Sequence, residues 1–194
     1  TQPKKLNVPG ERELAGRGVS YCATCDGAFF RNKHVIVVGG GDSAVEEGIF
    51  LTRFAAQVTI VHRRDQLRAA PILQQRAFAN DKIRFVWDTI VEEIVGENRV
   101  TQVKLKNMKT GEVSHLDADG VFIYIGYLPN TGFLQATGLL NANGYIDTDG
   151  KMATKIPGVF AAGDVRETYL RQIVTAAGDG AVAAMSAYHY LETL

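Results

Sequence analysis

Val35-Ile36-Val37-Val38-Gly39-Gly40-Gly41-Asp42-Ser43-Ala44 decides the fold. A continuous β-branched run is what a parallel strand buried on both faces requires. After the glycines, Val45, Ile49, Leu51 and Phe54 recur at roughly helical spacing, which predicts a helix over 42–54 with Asp42 or Ser43 near its start. Val58-Thr59-Ile60-Val61 reads as the next strand. The result is a β-α-β unit of the length that binds dinucleotides. In its G-x-G-x-x-G/A turn, Gly39 permits the tight bend and Gly41 lets backbone N–H groups approach a pyrophosphate. Ala44 lets the helix pack closely on the strand, and the helix N-terminus favours negative charge. The bland alternative for Gly39 to Ala44, including Gly40, is a glycine-rich turn without a ligand.

The end of the second strand narrows the ligand. A site for NAD usually carries an acid about 20 residues past the loop, bonded to the ribose 2′-hydroxyl. Here His62-Arg63-Arg64 stands there, and Arg68 follows one helical turn later. Arginine grips phosphate through charge-assisted, bidentate bonds, so NADPH is favoured over NADH. The competing reading is a solvated basic patch partly neutralised by Asp65.

Ahead of the loop lies Cys22-Ala23-Thr24-Cys25-Asp26, which holds both cysteines of the chain. C-x-x-C spacing lets two sulfurs reach disulfide distance with little backbone change. If the pair opens a helix, the helix N-terminus lowers the pKa of a sulfur there. Asp26 adjoins the pair and is a candidate acid/base. Beside a site for a hydride carrier, such a dithiol suggests electrons moving from a nicotinamide to a disulfide. Half of a zinc site is a rival, but the four histidines lack ligand spacing, and no metal is expected. Two inert cysteines are a further alternative.

Outside this centre, the first 20 residues are polar, broken by proline and glycine, and read as a connecting arm. A helix is expected over 66–80 and a strand over Ile83 to Trp87. Val100 to Leu105 alternates before a turn at Lys109-Thr110-Gly111-Glu112, and Val121 to Ile125 reads as a buried strand. Val159 to Ala162 is expected as a last short strand closed by Gly163-Asp164. An alanine-rich helix is expected from about Arg171 to Leu191. Within it, Gly178, Gly180 and Ala183 match the glycine pattern again but lack an entering strand, so they read as close helix packing.

The 194 residues balance 21 basic against 21 acidic side chains, with 46% hydrophobic content. Zero net charge gives no global reason to bind nucleic acid or an anionic membrane. No apolar stretch approaches the ~20 residues of a spanning helix. The first residues, Thr1 to Leu6, do not form a secretory signal, which fits a cytoplasmic protein.

Taken together, these segments resemble the low-molecular-weight thioredoxin reductases. The matching residues are Cys22 to Gly27, Gly39 to Glu47, His62-Arg63-Arg64-Asp65, Gly126 to Thr131, Ile156 to Asp164, and Arg171-Gln172. They run in family order along nearly the whole chain. The resemblance implies an α/β fold: a Rossmann-like NADPH domain plus the C-terminal portion of an interrupted FAD-binding domain. Residues 1–6 would be a crossover arm, 7–125 the NADPH domain with its dithiol, and 126–194 the flavin-domain portion. Cys22 would attack the disulfide of thioredoxin, Cys25 would exchange electrons with the flavin, and Asp26 would be the acid/base for that exchange. Gly39 to Ala44 with His62, Arg63, Arg64 and Arg68 would hold NADPH. Gly163, Asp164, Val165, Arg171, Gln172 and Ile173 would meet FAD. A homodimer is also implied.

The chain departs from that family at its start, where nothing before Cys22 supplies a fingerprint for the ADP part of FAD. It therefore reads as the C-terminal two-thirds of such an enzyme, with apolar surface left exposed. Alternatives are a reductase of another small redox carrier, an NADPH-binding fragment without catalysis, and a zinc-stabilised interaction domain.

Overall fold

A computed structural model describes residues 1–194. The chain forms two compact units, Pro3–Gly126 and Tyr127–Leu194, the latter joined by Thr1–Gln2. In the first unit the chain runs Val19–Ser20 (β1), Ala23–Asp26 (α1), His34–Val38 (β2), Asp42–Leu51 (α2), Gln57–Val61 (β3), Pro71–Phe78 (α3) and Ile83–Val86 (β4). Thr89–Val95 (β5), Gln102–Asn107 (β6) and Val113–Asp117 (β7) follow, and Gly120–Ile123 (β8) ends the unit's strands. The parallel sheet has the order β1-β8-β2-β3-β4, while β5, β6 and β7 make a separate antiparallel sheet.

The apolar run of β2 is continuous because both faces of that strand are covered. Val35 and Val37 point into a core with Val45 and Leu51 of α2. Ile36 and Val38 point the other way, onto Ile94, Val103 and Leu105 of the antiparallel sheet. Alternate residues of one strand therefore feed two cores. Register is strict, with His34 opposite Gln57, Val38 opposite Val61 and Val35 opposite Gly120. Phe122 of β8 is fully buried and meets the edge of Phe30 at 5.1 Å.

Several expectations are corrected. The first 20 residues are more than a connecting arm: Leu14, Glu11 and Val19 are buried, and β1 is a sheet edge. Strand β5 was invisible because its glutamates interrupt the alternation, and a register shift falls between Val91 and Glu93. The helix expected over 66–80 begins only at Pro71, which sits in its first turn where its missing N–H costs no bond. The helix expected to reach 54 ends at Leu51.

In the second unit, Ile173–Leu191 forms one long helix (α4) with no buried residue. Residues 159–162 make no strand, only a single bridge from Phe160 to Ala153. Without a neighbouring strand the backbone there has nothing to extend a ladder against. Gly178 and Gly180 are not packing glycines either, since a Cβ at each would meet open space. Between them, Asp179 binds Arg166 through two bonds of 2.6 and 3.0 Å and accepts the Gly163 N–H at 3.1 Å. Leu139, Tyr145, Ile146 and Met152 are the buried apolar side chains of this unit.

Candidate functional site

Cys22 and Cys25 are joined by a disulfide, with their Cα atoms 5.3 Å apart. Cys22 is the N-cap of the single-turn helix α1, and its sulfur accepts the Cys25 N–H at 3.2 Å. Cys25 is exposed and Cys22 half-buried. The turn is held from beneath by two hydroxyls. Ser20, buried at the end of β1, accepts the Cys22 N–H at 3.1 Å and donates to Asp26 Oδ2 at 2.6 Å. Tyr124, just after β8, accepts the Ala23 N–H at 2.6 Å.

Tyr124 also connects the dithiol turn to the glycine loop. Its carbonyl lies against Gly39, where a Cβ would come within 2.4 Å of that oxygen. Gly39 has φ +148°, so both its conformation and its surroundings require glycine. The ring of His62 fills the space a Cβ on Gly40 would need. Gly41 faces open space apart from the Arg68 guanidinium, 3.9 Å from where its Cβ would lie. The loop is pinned from its far side: Arg68 N–H donates to Gly40 O at 2.7 Å, and Asp42 Oδ1 accepts from Ala70 N–H at 2.7 Å. Ser43 is exposed at the start of α2, and Ala44 is buried beneath it.

Arg63, Arg64 and Arg68 are exposed, and Arg68 approaches Gly41. Asp65 forms no ion pair with them. It pairs with Lys109 at 3.1 Å, and that hydrogen bond and charge hold its carboxyl below the usual range. His62 is 4% exposed, and its Nε2 has no hydrogen-bond partner. Burial pushes its pKa down first, and Arg68, Arg64 and Arg63 push it further. The imidazole is thereby held neutral while the guanidinium groups carry the charge. An open backbone turn, a helix start and a cluster of exposed arginines can hold a phosphorylated dinucleotide.

The remaining sequence-derived residues lie in the second unit. Gly163, Asp164 and Val165 form a short 3₁₀ turn, and the Asp164 carbonyl accepts from the Thr1 hydroxyl. Arg171 stacks over the Tyr145 ring, 4.8 Å from its centroid, and its Nε is buried without a partner. Gln172 caps α4 in a reciprocal box with Thr175, and Ile173 is 90% exposed.

Sequence reasoning missed Ser20, Tyr124 and Glu11. Glu11 is buried and accepts from Leu6 N–H, Asn7 N–H and the Tyr21 hydroxyl, the last at 2.8 Å. A hydroxyl two residues before a C-x-x-C pair was the only signal available for Ser20.

Residues 1–180 match the model of a family described as pyridine nucleotide-disulphide oxidoreductase. The chain is 61% identical to a thioredoxin reductase of Bacillus subtilis over 192 residues, which is 98% of this chain and 61% of that protein. It is 57% identical to a thioredoxin reductase of Listeria innocua, covering 98% of this chain and 60% of that protein. The crystal structure of thioredoxin reductase from Streptococcus pyogenes superposes with a TM-score of 0.93 at 57% identity, over 100% of this chain and 63% of that one. The chain thus spans about three-fifths of the length of the relatives it matches.

Proposed function

Because this chain belongs to the pyridine nucleotide-disulphide oxidoreductase family, we propose that it is part of an NADPH-dependent flavoprotein that reduces the disulfide of thioredoxin. One observation carries the reading: a closed Cys22–Cys25 disulfide shares Tyr124 with a glycine loop that the Arg68 guanidinium approaches. Relatives that match nearly the whole chain bear the name thioredoxin reductase.

The residues fit the cofactors to different extents. Gly41 leaves room for a pyrophosphate, and Arg63, Arg64 and Arg68 suit the 2′-phosphate that separates NADPH from NADH. His62 shapes the loop from below through Gly40. For FAD, Gly163 to Val165 and Arg171 to Ile173 are the candidate contacts, and the buried, unpartnered Arg171 Nε suits an acceptor atom. Bound FAD would provide the step between hydride transfer and thiol chemistry.

The chain's own residues then act in a fixed order. The Cys22 thiolate attacks one sulfur of the partner disulfide, that bond breaks, and a mixed disulfide forms. Cys25 attacks Cys22 Sγ, the partner leaves as a dithiol, and the Cys22–Cys25 disulfide is restored. Asp26 exchanges the proton that each departing sulfur needs. The two units are then the NADPH domain and the C-terminal portion of the flavin domain. The uncovered apolar face of α4 suits burial beneath the rest of that domain or a second copy in a homodimer. No helix is long and apolar enough to cross a membrane. A reducing cytoplasm suits a dithiol that must reopen at each turnover.

The test is NADPH-driven reduction of oxidised thioredoxin, with FAD added, by the protein that contains this chain. Turnover should vanish in Cys22→Ser and in Cys25→Ser. Turnover that survives either change refutes the dithiol assignment. The uncovered α4 favours one second reading, an NADPH-binding chain that lacks flavin chemistry. A visible flavin band bleached by NADPH rejects it, and a colourless protein that still binds NADPH supports it.

A further inference from the structure

We propose that Ser20 is a positioning residue for the dithiol step, fixing the Asp26 carboxyl and tying it to the backbone of Cys22. The inference rests on the role given above to Asp26. Ser20 is 5% exposed, and its place is set by β1, where it lies opposite Phe122 of β8. Its hydroxyl has one proton. That proton goes to Asp26 Oδ2 at 2.6 Å, because the other acceptor within reach, the Cys22 carbonyl, is at 3.4 Å. The oxygen then accepts the Cys22 N–H at 3.1 Å. One buried hydroxyl therefore fixes both the carboxylate and the sulfur-bearing residue that the carboxylate serves.

Ser20 thus holds the Asp26 carboxyl in one orientation beside the residue whose sulfur it serves. Other charges share the space around Asp26. Arg17, Lys33, Arg99 and Asp119 line the same cavity of about 300 Å³. Lys33 and Asp119 pair with each other at 3.0 Å, so Arg17 and Arg99 are the remaining cations facing it. None of these groups bonds both Asp26 and Cys22, as Ser20 does.

The experiment uses dithiothreitol on the 194-residue chain, so it needs no flavin. A dithiothreitol thiolate attacks one sulfur of the Cys22–Cys25 disulfide and forms a mixed disulfide. The other sulfur leaves with the electron pair and takes up a proton, and the reagent's second thiol closes its own ring. Rates are measured from about pH 3 to 8, which spans ordinary carboxylates and histidine, and divided by the thiolate fraction of the reagent. The wild-type rate should show an acid-assisted limb that Asp26→Asn removes. In Ser20→Ala the height of that limb should fall by about 10-fold, the effect of losing one hydrogen bond to a charged group. Ser20→Thr, which keeps the hydroxyl, should restore its height. Ser20→Ala added to Asp26→Asn should change nothing further.

A limb that persists in Asp26→Asn overturns the acid/base role itself. A limb abolished by Asp26→Asn but undiminished in Ser20→Ala overturns the Ser20 proposal alone. If Ser20→Ala fails to fold, a limb of wild-type height in Ser20→Gly decides against the proposal, and a diminished one supports it.

Discussion

The two units of this chain bury their apolar side chains to very different degrees. In Pro3–Gly126 a parallel sheet is covered on both faces, and residues such as Val35, Leu51 and Phe122 are completely inaccessible. In the unit built from Tyr127–Leu194 the 19-residue helix α4 has no buried residue, and Val174 and Leu191 stand 75% and 66% exposed. The first unit is held by hydrophobic burial, which is additive and strong. The second leans on polar ties, chiefly the Arg166–Asp179 pair and the Gln172–Thr175 cap. An element whose apolar face lacks a partner gains little from its own sequence propensity.

The largest expected effect tests the first half of that contrast. Phe122→Ala should cost about 3–5 kcal/mol, as truncations of fully buried aromatics do. The single tryptophan, Trp87, lies in this unit and stacks on Phe85 at 5.0 Å. Urea unfolding followed by its fluorescence reads the loss directly. Val174→Ser, by contrast, should change the hydrogen exchange of α4 by less than about 0.5 kcal/mol. Equal losses at the two sites would erase the distinction between the units.

Next in size are changes at charged groups, one in each unit. Arg63→Ala with Arg64→Ala should lower the preference for NADPH over NADH by about 10- to 100-fold, the worth of one or two charge-assisted contacts. Titrations of both nucleotides measure it, and an unchanged ratio removes the arginines from the site. Asp179→Asn should destabilise the second unit by about 1–2 kcal/mol, since the pair is mostly shielded from water. Faster exchange of the Gly163 amide and of the amides early in α4 would register it. A silent substitution would mean that the helix is held by something other than this pair.

What the chain disclosed on reading follows the same division. The run Val35 to Val38 and its glycine loop were legible because a buried strand and a tight turn each leave a local signature. So were the arginines, because their chemistry does not depend on what packs around them. Strand β5 was not legible, since Glu92 and Glu93 face Lys104 across the antiparallel sheet and break the apolar rhythm. Val159 to Ala162 looked like a strand by composition, yet composition cannot provide a neighbour to pair with. Ser20 and Tyr124 were hidden for another reason. They reach the dithiol turn from strands distant in sequence or through a turn geometry that spacing alone does not reveal.

The smallest effect concerns His62 and the pH dependence of the first unit. Its folded-state pKa is lowered from 6.5, by burial first and then by Arg68, Arg64 and Arg63. The unfolded chain takes up a proton near 6.5, whereas the folded chain resists doing so until a lower pH. Between those two values the unfolded state binds more protons, so stability drains away as pH falls below about 6.5 and is fully present above it. Glu47 works in the opposite sense just above 4.5, because burial, with Glu46 beside it, raises its carboxyl. The two slopes are separated by subtraction. Urea midpoints for wild type and His62→Gln, measured from about pH 5 to 7.5, bracket the ordinary histidine range. Their difference should widen as pH rises through 6.5 and then level off. A difference that stays constant with pH would mean that the imidazole is not held neutral beneath Gly40. The glycine loop would then rest on a charged base rather than on a packed, uncharged ring.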